Sequence, residues 1–311
     1  MTPTPVSIVI PTRNAGSSLE HLLAAIAREE GEIEKEVVAI DSGSTDGTLE
    51  RLRQSGATVL SASGTFNHGG TRNLALARAG GEFAVLLVQD ALPLSSGWLS
   101  ALIGPMLTDP LVAGTFARQV PSAQASRVTA HYLRQWIAAQ PQPRSAGPLT
   151  TEAFNRMSPS ERHRVCAFDN VCSCLRVSVW RDHPFRPTAI AEDLEWGRDV
   201  LLSGYKLAYV PQAVVQHSHE RSVRYELHRA YLVHQRLQTL FGLATIPTVS
   251  ALLRAIASTV PLNARIAAHE PHARTRAVLR AAGMAVAQPL GQYLGARAAR
   301  DGREYLRPRG I

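Results

Sequence analysis

The acidic side chains best placed to do chemistry in this sequence stand at the ends of apolar runs. Asp90 follows the unbroken apolar run 83–88 closely, and Asp41 ends a shorter run at 37–40. A short apolar run bounded by turn signals is typical of a strand buried on both faces in a parallel sheet. Open α/β sheets bind ligands beyond the carboxyl ends of such strands. Both carboxylates are therefore predicted to lie near a ligand, although Asp90 taken alone fits better as a helix cap.

The segment that begins at Asp41 has the composition of a loop that binds an anion or a nucleotide. Its sequence, D-S-G-S-T-D-G-T, follows a predicted strand and opens a helix. Backbone amides and hydroxyls suit an anion, and Asp41 can accept from a base N–H or a ribose hydroxyl. The segment is neither G-x-G-x-x-G nor a Lys-Ser/Thr phosphate loop, which disfavours dinucleotide binding and ATP hydrolysis. An N-capping turn built on Thr45 or Asp46 is the plainer alternative.

A second set of candidates lies later in the chain. Glu192 and Asp193 open a predicted helix, where acids commonly complement the helix dipole, and a proton-accepting role is the alternative. His217 and His219 alternate at a predicted strand end, so one of the two is expected to face the site. Trp98 and Trp196 could stack on a sugar ring, but Trp is more often a core residue.

The elements that position these residues read β-α-β-α-β-α-β over the first 90 residues. Short connections between alternating elements indicate a parallel sheet covered by helices on both faces. Because parallel crossovers are right-handed, the loops at the carboxyl ends of the strands share one rim. Residues 11–14, 41–47 and 90 are therefore expected to gather there. The predicted strands cover residues 6–10, 37–40, 57–60 and 83–88, and Ser17 or Ser18 is expected to cap the first helix.

Beyond residue 110 the pattern predicts fewer strands and more helix. Residues 140–160 are rich in Pro, Ser and Gln and are expected to form a loop. The other predicted elements are strands at 112–117, 171–177, 207–210 and 213–216, a helix at 125–139 and a helix at 191–202 closed by Gly204.

The positive charge of the chain is concentrated near its end. Residues 221–311 hold 14 Arg and 4 acidic residues, whereas the net charge of the whole chain is +8. Such a region could meet an anionic membrane face or a phosphorylated acceptor, or it could be a solvated helix surface. No basic run is interleaved with aromatic residues, which disfavours nucleic acid. The apolar segment 240–262 contains Pro247 and Arg254 and is expected to lie on a membrane rather than span it.

The cysteines and the first residues bear on the compartment. Cys166, Cys172 and Cys174 are an odd number at C-x5-C-x-C spacing, which fits neither a disulfide framework nor a zinc site. Buried thiols in a reducing cytoplasm are expected instead. The start of the sequence, MTPTPVSIVI, shows no basic region followed by an apolar core, so no signal peptide is expected.

Four motifs, in order, resemble those of glycosyltransferase family 2. They are V-S-I-V-I-P-T-R-N at 6–14, D-S-G-S-T-D-G-T at 41–48, H-G-G-T-R-N at 68–73 and V-Q-D-A at 88–91. The last two together most resemble the rhamnosyltransferase branch. The resemblance runs over about residues 5–240. It implies the GT-A fold, an α/β architecture with a mostly parallel central sheet and a helical C-terminal extension.

The resemblance also implies a division of the chain and an activity. Residues 1–220 would be the catalytic domain, with the nucleotide-sugar half at 1–110 and the acceptor half at 111–220, followed by the helical extension 221–311. The implied reaction is an inverting transfer of a sugar to a glycan or lipid-linked acceptor in the cytoplasm, at the inner membrane face. The implied donor is dTDP-L-rhamnose or a UDP-sugar.

Residue by residue, the resemblance assigns roles as follows. Asp41 would hold the pyrimidine, Arg72 and Asn73 would face the phosphates, and Asp193 with Glu192 would supply the general base. Asp90 and His217 would hold Mg²⁺ or Mn²⁺. The nucleotide-sugar residues implied are Pro11, Thr12, Arg13, Asp41, Ser42, Gly43, His68, Arg72, Asn73, Gln89 and Asp90.

The sequence departs from the family pattern at two places. Asp41 is followed by Ser42 where a second Asp is common, and the metal motif D-x-D is here Gln89-Asp90-Ala91. One carboxylate with a His and the donor diphosphate can still hold a hard cation. Two other interpretations stay open from sequence. One is a sugar nucleotidyltransferase, and the other is an inactive module that binds carbohydrate or nucleotide.

Overall fold

The structure is a computed structural model that describes residues 4–29, 31, 33–62, 67–270 and 274–306. Residues 1–3, at the start of the segment examined for a signal peptide, and residues 63–66, before the H-G-G-T-R-N motif, lie outside this range. In chain order the elements are β1 (Thr4–Thr12), α1 (Ser18–Ala27), β2 (Ile33–Asp41), α2 (Thr48–Gln54), β3 (Thr58–Ser61), α3 (His68–Leu76), β4 (Phe83–Leu87), β5 (Leu92–Pro93), α4 (Trp98–Thr108), β6 (Val112–Val120), α5 (Arg127–Arg134), a 3-10 helix (Ile137–Ala139), β7 (Arg144–Ala146), α6 (Thr151–Arg156), α7 (Pro159–Val165), β8 (Cys172–Arg176), α8 (Val177–Asp182), α9 (Glu192–Leu202), β9 (Lys206–Gln216), α10 (Val223–Phe241), α11 (Val249–Ala267) and α12 (Arg274–Asp301).

The chain forms two compact units. The first comprises the residues up to Val120 together with Trp136–Arg156 and Val165–His217, and it contains all the strands that the described residues form. The second comprises Pro121–Gln135, Met157–Arg164 and the residues from Ser218 onward. Its regular elements within the described ranges are helices.

One sheet organises the first unit, in the order β3-β2-β1-β4-β8-β6-β9-β5, with β7 also paired to β9. β3, β2, β1 and β4 run parallel, so their carboxyl ends lie at the same edge. β8 then enters antiparallel between β4 and β6, while β6 and β9 are parallel. The predicted α/β fold with parallel strands in its first half is confirmed.

Continuous burial explains why these segments form strands that are covered on both faces. Val6, Ile8 and Ile10 of β1 point into one core together with Leu22 and Ile26 of α1. Every residue of β4 is fully buried, which confirms over 83–87 the strand predicted at 83–88 and its cover on both faces. Burying each such aliphatic side chain stabilises the fold by about 1.5–3 kcal/mol.

Several predicted elements are longer, shorter or different. The segment 140–160, predicted as a loop, contains β7, α6 and the start of α7, because β7 finds a partner in β9 far along the chain. The helix predicted at 125–139 ends at Arg134 and is followed by a 3-10 turn. The two short strands predicted at 207–216 are one strand, which an irregularity in its pairing with β6 interrupts near Val210. No side-chain cap bond forms at Ser17, and the Ser18 hydroxyl donates to the carbonyl of Ala15.

The helices of the second unit pack through small and amide side chains. A Cβ at Gly291 would lie 2.5 Å from the carbonyl oxygen of Leu227, and one at Gly295 would lie 2.1 Å from that of Tyr231. Only glycine lets α12 approach α10 so closely. The fully buried Asn263 of α11 accepts from the Tyr132 hydroxyl at 2.7 Å. This unit is therefore built by close helix packing.

Two further observations concern thiols and membranes. Cys166, Cys172 and Cys174 are unpaired and buried, as predicted. Burial raises the pKa of the Cys166 thiol to about 12, and it raises the pKa of the other two as well. Among the helices of the described residues, none combines the length and the apolar character that a membrane span requires.

Candidate active site

The loop after β2 is folded around the Asp41 carboxylate. Asp41 is 3% exposed and lies opposite Thr12, the last residue of β1. Its oxygens accept from the Ser44 hydroxyl at 2.5 Å, the Thr12 hydroxyl at 3.1 Å, and the backbone N–H groups of Gly43 and Ser44 at 2.9 and 2.8 Å. Four donors fill the four lone-pair directions of a carboxylate. A nucleotide base that binds Asp41 must displace one of them, and the predicted base contact stays a prediction.

The loop after β1 is joined to this loop. The side-chain oxygen of Asn14 accepts from the Thr45 N–H, and the Ser44 hydroxyl oxygen accepts from the Asn14 N–H, each at 2.8 Å. Asp46 accepts from the Thr48 N–H at 3.1 Å, so it contacts the start of α2, although the N-cap residue itself is Gly47 and carries no side-chain cap bond. The structure thus brings residues 11–14 and 41–47 together at one edge of the sheet.

Gln89 ties the loop after β4 to the same place. Its side-chain oxygen accepts from the Arg13 N–H at 2.8 Å, and its amide donates to the Arg13 carbonyl at 3.1 Å. Ser42 donates its N–H to the carbonyl of Thr12 at 2.9 Å, and Pro11 lies in register with Ile40. The predicted residues from all three strand ends therefore form one continuous rim.

Asp90 and His217 meet beside this rim. Asp90 lies between β4 and β5, and His217 follows β9. Because Leu92 of β5 pairs with Gln216 at the end of β9, the pairing of these two strands brings Asp90 and His217 together. Nε2 of His217 lies 3.6 Å from Oδ1 of Asp90, and both side chains are partly buried. A carboxylate oxygen and an imidazole nitrogen at this separation are a donor set that Mn²⁺ accepts. His219 belongs to the second unit, so the predicted choice between His217 and His219 stays a prediction.

Two residues that sequence reasoning missed continue from His217. Nδ1 of His217 lies 3.3 Å from Oε1 of Gln119, and Nε2 of Gln119 donates to Oδ2 of Asp169 at 2.7 Å. The indole N–H of Trp136 donates to the same Asp169 oxygen at 3.0 Å. Gln119 is 4% exposed, and its buried amide is satisfied at both ends. A polar side chain at a buried strand position was the available sequence signal.

Of the two acidic residues at the start of α9, Glu192 forms a buried ion pair with Arg72. Nη1 of Arg72 lies 2.6 Å from Oε1 of Glu192, and the two side chains are only 7% and 5% exposed. The same Glu192 oxygen also accepts from the Asn170 amide at 3.3 Å. Nε of Arg72 is buried and has no hydrogen-bond partner within the described residues. Glu192 is therefore held by a neutralising partner, and an unsatisfied donor remains beside it.

Asp193, the residue after Glu192, has a different environment. Its Oδ1 accepts from the N–H of Leu194 at 2.8 Å, and its Oδ2 accepts from that of Asn170 at 3.4 Å. Burial, and then the nearby charges of Glu192 and Asp169, raise the pKa of Asp193 well above the usual range of an aspartate. A carboxylate with a raised pKa is a stronger base, so Asp193 can take a proton more readily than an exposed aspartate can.

The H-G-G-T-R-N motif builds the first turns of α3. A Cβ at Gly69 would lie 2.0 Å from the carbonyl oxygen of Arg186, so glycine is needed for this approach. Burial lowers the pKa of His68, and the charge of Arg72 lowers it further. The Asn73 side chain donates to the carbonyl of Phe185 at 2.7 Å. The predicted contacts of His68, Arg72 and Asn73 with the donor stay predictions, because each side chain is engaged with protein groups.

The two tryptophans named as candidates lie in the core. Trp98 is 1% exposed and Trp196 is 2% exposed. Trp196 packs against the rings of Phe168 and Phe185. Neither indole is available to stack on a sugar, which supports the core alternative.

The second unit contains an open cavity with a cationic lining. Its volume is about 680 Å³, and α5 and α11 supply most of its wall. Arg127, Arg134 and Arg265 line it with two histidines, and the lining includes Leu262 and Ile266. Cations of one sign around a concave surface concentrate a field that attracts anions.

Comparison with known sequences gives one consistent family. A family model described as Glycosyl transferase family 2 matches residues 7–160. The O-antigen chain rhamnosyltransferase RfbN of Salmonella typhimurium is 31% identical over 231 residues, which cover 73% of this chain and 70% of that protein. The O-antigen chain rhamnosyltransferase WbaN of Salmonella anatum is 29% identical over 230 residues, which cover 72% of this chain and 70% of that protein.

Comparison with solved structures agrees on the fold. The mannosyltransferase PcManGT from Pyrobaculum calidifontis, in complex with GDP-Man and Mn²⁺, superposes with a TM-score of 0.59 at 20% identity and covers 92% of this chain and 86% of that one. Glucosyl-3-phosphoglycerate synthase from Mycobacterium tuberculosis, in complex with Mn²⁺, UDP and glucosyl-3-phosphoglycerate, gives a TM-score of 0.56 at 20% identity and covers 77% of this chain and 81% of that one. The GT-A fold predicted from sequence is confirmed.

Proposed function

The chain belongs to glycosyltransferase family 2, and from that premise we propose that it transfers a sugar from a nucleoside diphosphate to a hydroxyl group by a single inverting displacement. The observation that carries this proposal is that Glu192 and Asp193, although adjacent in sequence, have different electrostatic surroundings. Glu192 is neutralised by Arg72, whereas the pKa of Asp193 is raised. One carboxylate is thus fixed by an ion pair, and its neighbour is suited to accept a proton.

The reaction needs one proton acceptor and no covalent intermediate. The acceptor oxygen attacks the anomeric carbon while the bond from that carbon to the diphosphate oxygen breaks on the opposite face. Asp193 takes the hydroxyl proton, which prevents positive charge from building on the attacking oxygen. The leaving diphosphate carries the departing electron pair, and positively charged groups and backbone N–H groups stabilise it.

The donor is proposed to lie along the rim formed by residues 11–13, 41–43 and 89. The loops after β1 and β2 present backbone amides, hydroxyls and the Asp41 carboxylate, which are group types that bind a nucleotide. His68, Arg72 and Asn73 are proposed to lie toward the sugar and phosphates. The unsatisfied Nε of Arg72 supports an anionic or hydroxylated ligand near α3, since an unpaired buried donor is costly.

Asp90 and His217 are proposed to hold Mg²⁺ or Mn²⁺ with the donor diphosphate. Their oxygen and nitrogen donors fit these ions, and two protein ligands leave coordination positions for phosphate oxygens. A bound cation supplies positive charge against the developing charge of the leaving group. The Mn²⁺ present in both neighbouring complexes supports this proposal.

The transferred sugar is proposed to be L-rhamnose, with dTDP-L-rhamnose as the donor and a glycan or lipid-linked molecule as the acceptor. Two relatives named as O-antigen chain rhamnosyltransferases support the sugar and the acceptor class. The Arg-lined cavity of the second unit supports a phosphate-bearing or anionic surface as a partner. We propose that the Arg-rich helices touch the inner membrane face peripherally.

The test is release of nucleoside diphosphate from dTDP-L-rhamnose in the presence of simple glycoside acceptors. Asp193→Asn is expected to lower kcat by about 10²–10⁴-fold and leave dTDP affinity unchanged, because only the proton acceptor is removed. Asp199→Asn, on the same helix, is the matched control and is expected to retain activity. Unchanged turnover in Asp193→Asn contradicts its assignment as the base.

A further inference from the structure

A line of hydrogen bonds holds His217 from the side away from Asp90. Nδ1 of His217 meets Oε1 of Gln119 at 3.3 Å, and Nε2 of Gln119 donates to Oδ2 of Asp169 at 2.7 Å. The other oxygen of Asp169 accepts from the N–H of Val171 at 3.0 Å. The backbone N–H of His217 donates to the carbonyl of Val120 at 3.0 Å, which fixes where the ring begins. All these groups belong to the first unit.

The chemistry of these groups sets the direction of each bond. An ionised carboxylate only accepts hydrogen bonds, so Gln119 must turn its NH₂ group toward Asp169. Its carbonyl oxygen then faces His217, and a carbonyl also only accepts. Nδ1 of His217 must therefore carry the proton. In a neutral imidazole the other nitrogen, Nε2, then carries the lone pair, and it is Nε2 that lies 3.6 Å from Asp90.

We propose that Gln119 and Asp169 are positioning residues that hold His217 as its Nδ1–H tautomer, with the Nε2 lone pair directed to a divalent cation shared with Asp90. The inference rests on the proposed function of Asp90 and His217 as metal ligands. A second layer of this kind fixes the tautomer and the orientation of metal-binding histidines in general. Here it consists of a buried amide braced by a carboxylate.

Burial makes the arrangement specific. Gln119 is 4% exposed, so an amide turned the other way would place its carbonyl oxygen against the Asp169 carboxylate, away from water that could separate the two acceptors. A buried polar group left unsatisfied is costly, which keeps one orientation of the amide dominant. Trp136, at 42% exposure, adds a second donor to Asp169 through its indole N–H.

The first test reads the tautomer directly and needs no metal. Ring ¹⁵N shifts of His217 are measured in metal-free protein with labelled histidine, and the signal is assigned by its loss in His217→Gln. The expected spectrum shows a protonated Nδ1 and an unprotonated Nε2. A neutral ring that is protonated at Nε2 and not at Nδ1 overturns the proposal, and this measurement does not depend on any variant of Gln119 folding.

The second test uses Gln119→Met, which keeps the length of the side chain and removes the acceptor. The Nε2–H population of His217 is expected to rise, and Mn²⁺ affinity, measured by electron paramagnetic resonance with dTDP present, is expected to fall by about 10–100-fold. Trp136→Phe is the matched control, since it removes a donor to Asp169 but leaves the Gln119 bonds in place. It is expected to preserve both readouts.

The outcomes separate this inference from the proposed function. An unchanged tautomer and unchanged Mn²⁺ affinity in Gln119→Met overturn the positioning role. A wild-type protein with the expected tautomer that binds no Mn²⁺ contradicts the proposed metal site and, with it, the metal part of the inference. In that case the hydrogen-bonded line is a structural brace.

Discussion

Breaking the Arg72–Glu192 pair is expected to destabilise the protein strongly. The two groups lie 2.6 Å apart and are 7% and 5% exposed, so Glu192→Gln leaves a buried arginine charge without its ion-pair partner. Removing one partner of a buried pair costs about 3–5 kcal/mol. At about 2–4 °C for each kcal/mol in a domain of this size, the midpoint of thermal unfolding is expected to fall by about 6–20 °C. Urea unfolding of Glu192→Gln measures the free energy independently.

Two comparisons make this prediction sharp. The double variant Arg72→Met with Glu192→Leu is expected to recover most of the loss, because a buried pair replaced by apolar side chains is often nearly neutral. Glu152→Gln breaks the exposed Arg156–Glu152 pair, whose side chains are 78% and 74% exposed. We expect its free energy of unfolding to differ from that of the wild type by too little to measure. If Glu192→Gln lowers the free energy of unfolding by no more than Glu152→Gln does, the reasoning from burial is wrong.

Three further predictions follow from single features. The raised pKa of Asp193 in the folded protein lowers the free energy of unfolding at any pH above the ordinary aspartate pKa of about 3.9, because the unfolded chain releases that proton first. Asp193→Asn should therefore be at least as stable as the wild type at pH 7. Urea unfolding at several pH values should show that this advantage vanishes below about pH 4. Gly69→Ala should lower the free energy of unfolding, measured with urea at pH 7, by about 1–3 kcal/mol, because the added Cβ clashes with the Arg186 carbonyl. Gly104→Ala, with open space around its Cβ, should cause no loss in that measurement. Arg265→Glu should weaken sedimentation with anionic vesicles, whereas the exposed Arg156→Glu should not, and equal binding of both would contradict the membrane contact.

The order of the elements in the first unit could be predicted because its signals are local. The apolar run 83–88 and the motif at 41–48 each mark a strand end, and parallel strands place such ends at one edge. That rule alone predicted that residues 11–14 and 41–47 would gather with Asp90. In the structure the residue that bonds to Arg13 is Gln89, and Asp90 lies beside the rim with His217. The helix at Glu192–Leu202 was equally predictable from its acidic first turn and from Gly204 after its end.

What sequence could not supply were pairings over long separations. Arg72 and Glu192 are 120 residues apart, and Gln119 and His217 are 98 apart, so no spacing rule joins them. The antiparallel entry of β8 between β4 and β6 depends on tertiary packing rather than on the residues of β8. The segment 140–160 was predicted as a loop from composition, whereas β7 is a strand because β9 offers it an edge.

The most direct test of the central claim is a thermal-shift screen of nucleoside diphosphates and their sugars, with and without Mn²⁺. A ligand at about 100 times its dissociation constant adds about 2.7 kcal/mol to the free energy of unfolding. The account predicts stabilisation by dTDP or UDP, a larger shift with Mn²⁺, and loss of the Mn²⁺ increment in Asp90→Asn. Stabilisation without any Mn²⁺ increment would remove the metal and keep the donor site. No response to any nucleotide would contradict the proposed donor site.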